Sequence, residues 1–104
     1  MKIVIQEQVQ RTVIIAPHDR MDAFSAPMLR KEIDQLIDSG AKDFVVDLST
    51  TPFMDSAGMA VLVSLLRRCR LMGGNVKLVW PESEAVRRTL QLTHFDRVFE
   101  FVQL

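Results

Sequence analysis

At 104 residues the chain has the size of one domain, 1–104, and its 48% hydrophobic content is enough to fill a core. Its 13 basic residues balance 13 acidic ones, which excludes a general nucleic-acid binder, because such a protein needs a cationic excess to displace counterions. The single cysteine, Cys69, excludes an internal disulfide and predicts a reducing, cytoplasmic setting.

The amino end, MKIVIQEQVQ, turns polar too early for a secretory leader. No run nears the ~18 apolar residues of a membrane span. KIVIQEQ and TVIIAP are short and β-branched, and both read as strands, with a turn near Gln10 and Arg11. SAPMLRKEIDQLIDSG reads as a helix: Ser25 can cap it, Leu29, Ile33, Leu36 and Ile37 share one face, and Gly40 ends it. DFVVDLS is a near-continuous apolar run, the pattern of a strand buried on both faces. A helix from Ser56 to Met72 follows, closed by Gly73 and Gly74. NVKLVW is a strand, Pro81 opens a shorter helix through ESEAVRRTLQL, and RVFEFV is the last strand. The order β-β-α-β-α-β-α-β predicts an α/β fold with a mixed or largely parallel sheet of about five strands and helices packed against it.

In such sheets, sites gather beyond the carboxyl ends of the strands. Two loops qualify, HDRMDAFSAP and STTPFMDSAG. Parallel strands would put both on one rim, with Asp19, Asp22, Asp55 and Ser56 as neighbours. Spacing leaves two readings open for Asp55 and Ser56. One is a plain helix cap, worth about 1 kcal/mol. The other is a modification site: the N–H groups and dipole at a helix start favour an anion, and a phosphate would add about −1.5 to −2 of charge beside Asp55. Gly58 would let another group approach closely.

The helix after Ser56 is apolar almost all round at its start, with Met59, Ala60, Val61, Leu62, Val63, Leu65 and Leu66. A helix in a two-layer domain should bury one stripe. The excess predicts either cover from neighbouring helices or a protein-binding surface built from Met54, Met59 and Val63. Arg67, Arg68 and Arg70 suit the helix dipole and are assigned no ligand.

Other chemistries are poorly supplied. A serine hydrolase would have only His18 or His94 as a base, and no G-x-S-x-G elbow exists. His18, Asp19 and Asp22 lack metal-ligand spacing, so no metal site is expected. Asp47 ends a strand without the acidic cluster that a phosphoaspartate site needs. Cys69 reads as a small core residue. No Gly-rich phosphate cradle is present, so no nucleotide cofactor is expected.

DRMDAFSAPMLRKEI at 19–33, VVDLSTTPFMDSAGMAVLVSLLRRC at 45–69, GGNVKLVW at 73–80 and LQLTHFDRVFEF at 90–101 together resemble a STAS domain. Within that family the chain is most similar to the bacterial anti-sigma factor antagonists. The resemblance implies a non-enzymatic, partner-switching regulator. Ser56 would be the phosphoacceptor, modified by an anti-sigma factor that is also a serine kinase and restored by a phosphatase. Asp22 would match the family's loop aspartate in the partner-binding site. The unphosphorylated form would bind the anti-sigma factor and free the sigma factor. The loop HDRMD departs from members that carry Gly near Asp19 or Arg20. A second kind of STAS module fits the same residues: a constitutive subunit of a stress-signalling scaffold or a lipid-transport complex, with Ser56 unmodified. Neither reading fixes the oligomeric state.

Overall fold

The computed structural model describes residues 2–7 and 12–104. Its elements run β1 (Ile3–Glu7), β2 (Thr12–Pro17), α1 (Ala26–Asp38), β3 (Asp43–Asp47), α2 (Ser56–Leu71), β4 (Asn75–Val79), α3 (Glu84–Leu92) and β5 (Glu100–Val102). The strands form one sheet in the order β1-β2-β3-β4-β5. β1 is antiparallel to β2, and every other neighbouring pair is parallel. This is the five-stranded mixed sheet that the alternation of elements predicts. The turn expected near Gln10 and Arg11 lies outside the described residues.

Side chains alternate across a strand, so each strand offers one face to the helices. Val13 and Ile15 of β2, Phe44 and Val46 of β3, and Val76 and Leu78 of β4 are at most 1% exposed. They share one core with Leu29 and Ile33 of α1, Leu62 and Leu65 of α2, and Leu90 of α3. Along its middle β3 is buried on both faces, as expected: Phe44, Val45 and Val46 are all buried. Val45 points away from that core, on the side of Asp43 and Asp47. It is shielded instead by the flanking strands, beside Ile14 and Lys77.

Helix ends follow their glycines. Gly40 and Gly73 take the left-handed region, at φ 103° and 82°. The next residue then reaches back: Ala41 N–H donates to Leu36 O at 3.0 Å, and Gly74 N–H to Cys69 O at 2.8 Å. Both are Schellman closures. Two boundaries differ from expectation. Pro81 precedes α3 without opening it; Ser83 is the N-cap, and Arg87 Nε donates to Pro81 O at 2.7 Å. The last strand is short because Phe95–Arg97 form a 3-10 turn after His94, which sits at φ 60°. That turn brings the rings of Phe95 and Phe99 to 6.0 Å, and Phe99 enters the core.

Cys69 is fully buried in this core. Burial pushes its thiol up to about 11, with the Asp43 charge adding and Arg68 opposing. The folded state therefore holds this proton more tightly than the unfolded one. Its contribution to stability is present below the ordinary thiol value of 9.0 and is lost as pH rises toward 11. Native protein at pH 8 should not react with a thiol reagent, whereas urea-unfolded protein should react fully. Rapid labelling of the native protein would contradict this burial.

Candidate functional site

The loops after β2 and β3 are stitched together. Met21 N–H donates to Phe53 O at 2.9 Å, and Asp55 N–H donates to Met21 O at 3.1 Å. The result is a single parallel bridge between Met21 and Met54. Thr51, 0% exposed, donates its hydroxyl to Pro17 O at 2.7 Å. Ser83 Oγ donates to Pro52 O at 3.0 Å and so joins the head of α3 to the same rim. Asp19, Asp22, Asp55 and Ser56 thus lie on one rim beyond parallel strands.

The cap at the head of α2 is Asp55. Its Oδ1 accepts from Ala57 N–H at 2.9 Å and Gly58 N–H at 3.2 Å. Ser56 is the first helical residue; it is exposed, and its hydroxyl has no hydrogen bond among the described residues. Two of the N–H groups open to an anion at this helix head, those of Ala57 and Gly58, thus already serve the Asp55 carboxylate.

Gly58 is close-packed against the protein's own backbone. A Cβ added there would fall 2.8 Å from Met21 Cβ and closer still to Met21 O. The close approach expected of Gly58 is therefore internal: it lets the first turn of α2 rest on the loop after β2.

Ser25 stands at the N-cap position of α1 but its side chain makes no cap hydrogen bond to that helix, which corrects the expectation that it caps α1; it pairs instead with Asp22 in a reciprocal capping box on the preceding turn. Asp22 Oδ1 accepts from Phe24 N–H at 3.1 Å and Ser25 N–H at 3.0 Å, and Ser25 Oγ accepts from Asp22 N–H at 3.0 Å. Ser25 also donates to Arg20 O. The Ser25 N–H bond, the Arg20 side chain and the Phe24 N–H bond hold the Asp22 carboxyl below its ordinary value, against some desolvation. Because this group is depressed on folding, its support for the turn is present above pH 3.8 and is lost as pH falls further. The box displays Phe24, which is 86% exposed. Sequence reading missed Phe24; the D-x-x-S spacing of DAFS was the available signal.

The apolar residues divide. Met54 is 1% exposed and Met59 7%, so neither offers the surface expected of it. Met54 is drawn inward by the bridge to Met21, and Met59 packs in the core. Val63, at 39%, does face outward. A groove of ≈ 770 Å³ runs between α2 and α3, with Ser56 and Val63 on its α2 wall, Met59 at its base, and Thr89 and Thr93 opposite.

Neither imidazole attends Ser56. His18 Nδ1 is 2.6 Å from Thr50 Oγ1, and His94 occupies the turn before Phe95. Asp47 Oδ1 accepts from Ser49 N–H at 3.0 Å. Among the described residues, no three His, Cys, Asp or Glu side chains gather as a metal site, and no helix is long and apolar enough to cross a membrane.

A five-stranded mixed sheet, two stitched loops and an exposed serine at a helix head define a small α/β module with an outward-facing rim. The chain belongs to the STAS domain family, whose model matches residues 3–103. A Thermotoga neapolitana protein whose name assigns it to the anti-sigma factor antagonists is 30% identical over 91 residues, spanning 86% of this chain and 80% of that one. The crystal structure of a Thermotoga maritima protein assigned to the same class superposes with a TM-score of 0.88 at 25% identity, covering 98% of this chain and 86% of that one. The antagonist SpoIIAA, solved in an unphosphorylated form, shares the fold at a TM-score of 0.83 and 21% identity, covering 98% and 89%. Its Bacillus phosphorylated form gives 0.75 at 20%, covering 98% and 92%.

Proposed function

We propose that this protein is an anti-sigma factor antagonist whose binding is switched by phosphorylation of Ser56. The unphosphorylated form binds an anti-sigma factor with serine kinase activity and releases the sigma factor; phosphorylation ends that binding, and a phosphatase restores it. The observation that carries the reading is the exposed, unengaged hydroxyl of Ser56, left free because Asp55 does the capping. The protein acts by binding, and ATP belongs to the partner.

In this reading Asp22, Asp55, Ser56 and Val63 face the partner. Met54, Gly58 and Met59 hold the rim from behind. The switch is electrostatic: a dianion beside Asp55 fills an otherwise dry contact and cannot shed its water cheaply. Mass spectrometry of the protein from its own cells, before and after phosphatase treatment, tests the reading. A phosphatase-sensitive phosphate on Ser56 is expected. Its absence across growth and stress conditions would favour the constitutive interaction subunit.

Asp22→Ala should weaken partner binding while the fold survives. Loss of the capping box costs about 1 kcal/mol, as for other caps, and cannot unfold a domain of ordinary stability. Phe24→Ala should also weaken binding, with an unchanged melting temperature, since exposed aromatics on fixed turns act as anchors. Titration calorimetry with matched thermal melts checks both. Undiminished affinity in both variants would remove this turn from the interface.

A further inference from the structure

We propose that Arg20 is a specificity-determining residue of the rim: its guanidinium is a preformed fork that takes a carboxylate of the anti-sigma factor, an Asp or Glu side chain. This rests on the function proposed above and adds which charge the partner must present, and where.

Arg20 lies where the two loops meet. The Met21–Met54 bridge is parallel, so Arg20 stands beside Phe53 and Asp22 beside Asp55, with Ser56 next in the chain. The guanidinium is fixed on two sides. Its carbon lies 4.1 Å from the centroid of the Phe53 ring, and its Nε donates to Asp22 Oδ2 at 3.4 Å. Stacking on a ring and one anchored edge set the plane of the group before any partner arrives. The side chain is nonetheless 61% exposed, and neither Nη group has a hydrogen bond among the described residues. The distal edge of the guanidinium therefore offers paired donors, the geometry that a carboxylate accepts in two parallel bonds.

The neighbouring acids each have internal donors. Asp22 Oδ1 takes the N–H groups of Phe24 and Ser25, Asp55 Oδ1 takes those of Ala57 and Gly58, and Asp19 Oδ2 takes that of Lys2 at 2.6 Å. The distal edge of Arg20 has no such internal partner, so an incoming acceptor is what the rim lacks. A depression of ≈ 330 Å³ opens beside the fork, lined also by Asp22 and Phe24. A Glu side chain matches its chemistry, with methylenes against the exposed Phe24 ring and the carboxylate on the fork. Repulsion from Asp22 acts from the Nε edge, while the fork is in direct contact, so the shorter distance decides the sign. The arginine is already held, so little of its freedom is lost on binding. A basic side chain at the same place would be repelled, and the fork rejects as well as selects.

The test is titration calorimetry of the full, unphosphorylated chain against each purified anti-sigma factor of the source organism. Arg20→Gln should lower affinity about 10-fold, and Arg20→Lys about 5-fold, because an ammonium cannot make the paired bonds. Arg20→Glu should lower it about 100-fold and recover to within about 5-fold of wild type when the facing acidic residue of the partner is changed to Arg. A side chain that acted only through the fold would not be restored by that exchange. Added salt should shrink the difference between wild type and Arg20→Gln. Arg70→Glu, in the last turn of α2, is the control and should bind nearly as wild type. Because Arg20 faces solvent, thermal melts should confirm that its variants fold. Wild-type affinity in folded Arg20→Gln and Arg20→Glu would overturn the fork and leave the antagonist reading standing. Lost binding that no acidic-to-Arg exchange on the partner restores would also overturn it, as a purely structural role. Unchanged affinity with slower phosphorylation of Ser56 from ATP would mean that the fork meets a phosphate, and would overturn it too. If no anti-sigma factor binds wild type, both readings fall together.

Discussion

Ser56→Asp is expected to lower affinity for the anti-sigma factor by about 30- to 1,000-fold, the equivalent of about 2–4 kcal/mol for a buried, unpaired interfacial charge. The fold should persist. An acidic residue at the first position of a helix gains about 0.3–1 kcal/mol from the dipole, which offsets some of the repulsion from Asp55. Ser56→Ala is expected to bind like wild type and to resist the kinase. Its hydroxyl caps nothing, so stability should change by no more than about 0.5 kcal/mol. Calorimetry for affinity and a kinase assay with ATP for modification give the two readouts. Wild-type affinity in Ser56→Asp would sink the charge switch, provided that phosphorylated wild-type protein also binds. The aspartate carries less charge than phosphate, so that second sample is the decisive one.

Much of this arrangement is legible in the residues because topology does the placing. A helix between two apolar strands makes them parallel, and parallel strands put their following loops on one rim. That is why Asp22 and Ser56, 34 positions apart in the chain, can be assigned to one place from order alone. The fate of the methionines is not legible in the same way. An apolar residue beside a polar site looks the same whether it faces a partner or the core. For Met54 the outcome turns on a single bridge to Met21, and no local pattern encodes that pairing. Ser25 misleads for a related reason: beside Pro27 it resembles a simple cap, while the partner that completes the box lies at Asp22.

Gly58→Ala is the substitution that should reveal how tightly the two loops depend on one another. Helix propensity alone predicts a gain of about 1 kcal/mol for alanine over glycine inside a helix. Sterics predict the opposite, since the new methyl would lie 2.8 Å from Met21 Cβ and closer to Met21 O. The obstacle is backbone, held by Met21's bonds to Phe53 and Asp55, so it cannot rotate away as a flexible side chain would. Relieving it means lifting the first turn of α2 or pulling the Met21 strap off the second loop, at a cost of about 2–4 kcal/mol with overpacking at its upper range. Sterics therefore win, and the net loss should be about 1–3 kcal/mol, or a drop of about 4–8 °C in melting temperature per kcal/mol for a domain near this size. The same shift would move the Asp55 cap and the Ser56 hydroxyl, so partner affinity should fall even at temperatures where the variant is fully folded. A melting temperature equal to or above wild type would mean that the helix head and the loop are not locked together. Rigid presentation of Ser56 by the paired loops would then have to be abandoned.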